Sequence, residues 1–115
     1  MKISEEFVPS WAEGLDCAVT VSDIDGKIIY MNERSRETFA KYGDVVGKSL
    51  FDLHGERACG IIRRLLDKGE TNTYTISKEG RRKLIHQMPW RKAGKIAGLV
   101  EISVVIPETM PHYQR

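Results

Sequence analysis

Apolar positions recur at two different periods along this chain, and the change of period divides it. Residues 17–22 (Cys17-Ala18-Val19-Thr20-Val21-Ser22) are β-branched and short, which predicts a strand. Asp25-Gly26 reads as a two-residue hairpin turn, whose two central positions both need positive φ, and Lys27-Ile28-Ile29-Tyr30-Met31 is the return strand. Asn32 is a good N-cap for a helix over Glu33–Tyr42, with Gly43 placed to end it. Residues 44–54 carry apolar points at Val45, Val46, Leu50, Phe51 and Leu53 with no regular period, so an irregular segment is expected. Ala58, Ile61, Ile62, Leu65 and Leu66 then fall at i, i+3, i+4, i+7 and i+8. That is one face of a helix opened by Glu56 and closed by Lys68 and Gly69.

From Thr71 the period becomes two. Thr71–Ser77 is a strand rich in threonine, and Lys78-Glu79-Gly80 is a turn with glycine at a hairpin-bulge position. Leu84, His86, Met88 and Trp90 alternate with Lys83, Ile85 and Gln87, and Lys92-Ala93-Gly94 makes the next turn. Ile96–Ile106 is the longest apolar strand, stopped by Pro107. Three hairpin-linked strands at the end pair antiparallel, and the front hairpin joins them, since alone it would be only marginally stable. Two helices then cover one face of a five-stranded antiparallel sheet, an α+β fold. Residues 1–13 form a lead-in, with Pro9 opening a short helical turn that Gly14 ends; residues 14–106 form the domain and 107–115 a tail.

The last strand divides into Val100, Ile102, Val104 and Ile106 on one side and Leu99, Glu101, Ser103 and Val105 on the other. The first set is expected to be buried. With both faces partly apolar, the sheet is expected to need a cover on its back, either the lead-in or a second copy of the chain. A homodimer with Phe7, Val8 and Trp11 at its interface is the resulting expectation.

Composition changes little in this picture. A chain of 115 residues with 41% hydrophobic residues is one globular domain with an ordinary core. No window approaches the roughly 18 apolar residues of a membrane span, and the N-terminus lacks the apolar core of a signal peptide. A cytoplasmic protein is expected. Cys17 and Cys59 stand in no paired motif and read as reduced, buried thiols. Charge is uneven: Lys2 faces six acidic residues within 1–25, whereas seven basic residues face only Glu79 within 78–95. Trp90 is the one aromatic residue in that basic stretch, which suits a solvated hairpin better than nucleic acid.

Three segments then carry a family resemblance. Ser22-Asp23-Ile24-Asp25-Gly26-Lys27-Ile28-Ile29-Tyr30-Met31-Asn32 resembles the opening of a PAS domain, a D-x-x-G hairpin leading to an asparagine that caps the first helix. Gly43–His54 is similar to the family's next segment, and Gly94–Ile106 to its closing strand. The tail Ile106–Arg115 resembles that of short, stand-alone bacterial PAS proteins. The resemblance implies a sensory module, with a small molecule or cofactor held between sheet and helices. Only nine residues follow Ile106, so output to a downstream signalling protein is expected through non-covalent contact. Phe39, Leu53, Ile62, Leu65, His86, Met88, Glu101 and Ser103 are the candidate ligand-binding residues.

The cofactor subclasses leave different marks. Flavin photosensors of this family need a reactive cysteine in a C-R-F-L-Q-like run, and Ala58-Cys59-Gly60-Ile61-Ile62 lacks its arginine and glutamine. Haem-binding members carry an axial histidine, commonly on the second helix, which has none here. His54 precedes that helix and reads as structural. His86 reads as a sheet-face imidazole bonded to backbone or to Glu101, with a haem-iron role beside Met88 as the sharper alternative. No nucleophile elbow, zinc-protease motif, phosphate-cradling loop or dinucleotide fingerprint is present, and the histidines lack metal-ligand spacing, so no enzyme is expected. A sensor with an occupied cavity is the first reading. The second is an interaction module whose cavity is closed by Phe39, Phe51, Met88 and Trp90.

Overall fold

The structure, a computed structural model, describes residues 10–115. In chain order its elements are α1 (Ser10–Glu13), β1 (Ala18–Ser22), β2 (Ile28–Met31), α2 (Glu33–Thr38) and a 3₁₀ turn (Ala40–Tyr42). There follow α3 (Leu50–Leu53), α4 (Glu56–Lys68), β3 (Asn72–Lys78), β4 (Arg81–Lys92) and β5 (Lys95–Val105). The strands form one sheet in the order β2-β1-β5-β4-β3, and every neighbouring pair is antiparallel. β5 lies at the centre because it is apolar enough to be enclosed by β1 on one side and β4 on the other.

Turn chemistry departs from the sequence reading in two ways. The β1–β2 loop is longer than the expected two residues. Of Asp25 and Gly26, only Gly26 has positive φ (84°), and Asp23 Oδ1 accepts from Asp25 N and Lys27 N to fold the loop. The β3–β4 turn is in contrast tighter than expected. Lys78 pairs directly with Arg81, so Glu79 (φ 53°) and Gly80 (φ 73°) form a two-residue turn with no bulge. Ala93 and Gly94 repeat this between Lys92 and Lys95. The basic stretch 78–95 is thereby split: Lys78, Arg81 and Arg82 lie at one end of the β4 hairpins, and Arg91, Lys92 and Lys95 at the other.

The helices choose one face. Leu99 packs with Ile62, Leu65 and Leu66 of α4, so Leu99, Glu101 and Ser103 face the helices and Val100, Ile102 and Val104 face away. This corrects the expected burial of the set Val100, Ile102, Val104 and Ile106: Val100 and Ile102 are half-buried and Val104 is 41% exposed. The mixed face wins because its polar groups find partners under the helices. Thr20 Oγ1 meets Ser35 Oγ of α2 at 2.6 Å, and Ser22 Oγ accepts from Leu99 N at 3.2 Å.

One amide joins the lead-in to the first helix. The fully buried Asn32 accepts from Ser35 N and Val19 N at Oδ1, and donates from Nδ2 to the carbonyls of Ala12 and Cys17. Beside it, Glu13 of α1 accepts from Tyr30 Oη at 2.8 Å and pairs with Arg36 of α2. The Arg36 hydrogen bond holds the Glu13 carboxyl below its ordinary range. Burial, then the Glu13 contact, pushes the Tyr30 phenol up to about 12.

These shifts predict when the contact fails. The depressed Glu13 carboxyl contributes stability above the ordinary carboxylate range and loses it as pH falls through the depressed value. The raised Tyr30 phenol contributes fully below about 10, the ordinary phenol value, and loses its contribution as pH rises toward the shifted value. An NMR pH titration should show the Ala12 and Glu13 amides moving with an acid step that Glu13→Gln removes. Tyr30→Phe should remove the late phenol from the alkaline absorbance titration. Acid shifts unaltered by Glu13→Gln would refute the assignment.

Candidate functional site

A cavity of about 480 Å³ lies between the sheet and α2–α4. Its floor is the helix-side face of the central strands: Thr20 and Ser22 of β1, Leu99 and Glu101 of β5, and Gln87 of β4. Ile62 of α4 and Phe39 at the end of α2 supply apolar walls. Phe39 breaks the helix expected to run through Tyr42. With φ −105° and ψ 16° it starts a 3₁₀ turn, and its ring packs on the cluster of Ile28, Met31 and Val45.

The mouth is shaped by the segment that looked irregular in sequence. Ser49 caps α3 by accepting from Phe51 N at 3.1 Å, a four-residue helix that the apolar spacing did not reveal. Backbone bonds from Ile28 N to Lys48 O and from Gly47 N to Ile28 O stitch this segment along β2. Asp52, Leu53 and His54 stand exposed at the opening. His54 Nδ1 lies 2.7 Å from the Leu50 carbonyl, which can only accept, so Nδ1 carries the proton and a neutral ring leaves Nε2 as an acceptor.

The polar floor is directional. Asn72 Nδ2 donates to Gln87 Oε1 at 2.9 Å, and Gln87 Nε2 donates to Glu101 Oε1 at 2.8 Å. Burial, then the charge of Glu101, raises the pKa of the neighbouring Tyr74 phenol.

Of the candidate residues, Phe39, Leu53, Ile62 and Glu101 line the cavity. Leu65 packs in the core with Ile62 and Leu66 behind the lining, and Ser103 shares the face of Glu101 farther along β5 without reaching the cavity. His86 and Met88 require correction. Gln87 pairs with Glu101 and shares its face, so the residues on either side of it project from the opposite one. His86 Nδ1 is bonded to Thr73 Oγ1 at 2.7 Å, with neither backbone nor Glu101 as its partner, and cannot serve a haem in this cavity. Phe7 and Val8 lie outside the described residues, while Trp11 is 67% exposed on α1.

Gln87, Thr20 and Asp52 were missed. Alternation places Gln87 with Glu101 once the β4–β5 register is known, but one sequence does not say which face the helices choose. Cys59 Sγ lies 3.2 Å from the Phe51 carbonyl and Cys17 is half-buried, both as free thiols. Among the described residues no group of His, Cys, Asp and Glu could hold a metal ion, and no helix is long and apolar enough to cross a membrane.

Strand order, one roofed face and a hollow beneath the roof define a small cavity-bearing α+β domain. The family model described as PAS fold matches residues 12–109, and the chain belongs to that family. Such domains are commonly sensory signal-transduction modules and are generally not catalytic. A search of curated proteins finds no match. Among solved structures, the PAS domain of histidine kinase ThkA is similar over 78% of this chain and 99% of its own, with 23% identity and a TM-score of 0.63. A C-terminal domain from Streptococcus mutans matches over 90% of this chain and 85% of its own (16% identity, TM-score 0.69). VqmA bound to DPO matches over 86% of this chain but 56% of its own length (18% identity, TM-score 0.65). At these identities the likeness is one of fold.

Proposed function

We propose that this domain is a sensory module that takes up a small molecule between sheet and helices and signals through contact with other protein chains. The cavity carries the reading. Its 480 Å³ falls within the roughly 300–1,000 Å³ of small-molecule sites, and a mainly apolar wall with a few convergent polar groups is their usual lining. Of the four side chains expected to close it, Phe39 forms part of its wall and the other three are engaged elsewhere. Met88 stands on the back of the sheet, Trp90 donates to the Ser22 carbonyl, and Phe51 is stacked under Arg63. VqmA, a neighbour in fold, is described with a bound ligand, DPO, which supports a ligand in this hollow as well.

The half-buried back of the sheet supports the output side of the same reading. Val100, Ile102 and Val104 form an apolar stripe on the face away from α2–α4. Pairing of two copies over that stripe, with the lead-in alongside, would remove it from water, and the transmitted signal would be a change in that pairing.

Native mass spectrometry of protein purified from its own host tests both parts together. The expected spectrum shows a dimer at micromolar concentration with a retained small-molecule mass. Ile62→Trp, whose larger side chain fills the cavity, should lose that mass while keeping the native circular dichroism. An empty wild-type protein would favour the interaction-module reading, and a monomer would overturn the pairing.

A further inference from the structure

The charge of the cavity is one-sided. Of the described side chains that line it, Asp52 and Glu101 are carboxylates, and no lysine or arginine is among them. Neither carboxylate has an ion-pair partner among the described residues. Glu101 is the more telling of the two, because it is half-buried on the floor, where an uncompensated charge is costly.

The hydrogen-bond relay fixes what Glu101 presents. With Asn72 donating to Gln87, the Gln87 amide turns its carbonyl toward Asn72 and its NH₂ toward Glu101. Reversing both amides would set a carbonyl oxygen of Gln87 against a carboxylate oxygen of Glu101, two acceptors with no proton between them. Oε1 receives Gln87, and Oε2 has no protein donor among the described residues. At the opening, His54 uses its Nδ1 proton on Leu50, and the Asp52 carboxylate adds a second negative charge. The charged groups described on floor and mouth are therefore both acceptors, Glu101 and Asp52.

From this we infer that the ligand is a compact, largely apolar molecule bearing a protonated amine or amidine, whose N–H groups meet Glu101. This inference rests on the cavity being a ligand site, and it adds the chemistry that the site selects. The apolar body lies against Phe39, Ile62 and Leu99, and Asp52 draws the cation to the opening. Carboxylates and phosphates of the same size are rejected, since they would meet Glu101 with no lysine or arginine among the described lining residues to compensate.

Three near-isosteric probes separate charge from shape: benzamidine, benzamide and benzoate. Their affinities are measured by NMR titration against the wild-type chain and Glu101→Gln, which keeps an acceptor for Gln87. Benzamidine should bind at least about tenfold more tightly than benzamide, as a charge-assisted hydrogen bond implies, with shifts at Glu101 and Leu99. Benzoate should not bind. Glu101→Gln should erase the preference for benzamidine over benzamide; should that variant not fold, the wild-type ranking alone decides. Equal binding of all three in the cavity would sink the charge assignment and leave the ligand site standing. Shifts from none of them would overturn the assignment, and the native mass spectrum would then decide whether the ligand site falls with it.

Discussion

Asn32→Ala should lower the free energy of unfolding by about 3–4 kcal/mol, among the largest effects of any single substitution outside the hydrophobic core. The side chain is fully buried and makes four hydrogen bonds, so its loss strands the amides of Val19 and Ser35 and the carbonyls of Ala12 and Cys17. The N-cap alone is worth about 1 kcal/mol, and leaving buried backbone groups unpaired supplies the rest. Asn32→Asp separates the two halves of the network. It keeps the acceptor for Val19 and Ser35 but sets a carboxylate against two carbonyls, so α2 should survive while α1 detaches. Urea denaturation measures the first effect and hydrogen exchange at Ala12–Glu13 the second. A loss below about 1 kcal/mol for Asn32→Ala would mean that the cap alone matters.

Gly98→Ala should cost a comparable amount by the opposite mechanism, overpacking. A Cβ on Gly98 would stand 1.8 Å from the Ser22 carbonyl oxygen and 2.5 Å from Trp90 Nε1. The first atom is backbone and cannot rotate away. β1 must move off β5, or Trp90 must give up its 2.8 Å bond to Ser22 O. Overpacking of a well-filled site typically costs about 1–3 kcal/mol, and a backbone obstacle places this one at the upper end. Thermal unfolding and the near-ultraviolet dichroism of Trp90 should both register it. A variant with unchanged Tm and tryptophan signal would show that the two strands separate there without penalty.

Much of this architecture could be read from the order of residues alone, because the signals are local. The 3.6-residue spacing of Ile62, Leu65 and Leu66 gave helix α4 its bounds, and the period-two run after Thr71 gave three strands. Asn32 declared itself as a cap, but its contacts with Ala12, Cys17 and Val19 reach 13 to 20 residues away and leave no local mark. The cavity was half legible for a related reason. Alternation tells which residues share a face, and the choice of face depends on α2 finding Thr20 and α4 finding Leu99 across long sequence separations. Hence Glu101 was found and Gln87 was missed, while His86 and Met88 were placed on the wrong side. The turns misled for a subtler reason: Glu79 and Ala93 adopt positive φ although neither is glycine or asparagine.

The stitching of residues 47–49 along β2 has a consequence for how this protein resists sticking to itself. A sheet has two rims where unused backbone donors and acceptors invite a foreign strand. Here the β2 rim is occupied by Lys48 and Gly47, whereas β3 bonds only to β4 among the described residues. Among the described residues, amyloid-like growth or capture of an extended peptide therefore has its open address at Asn72–Lys78, and a proline at an outward-pointing amide of β3 would close it.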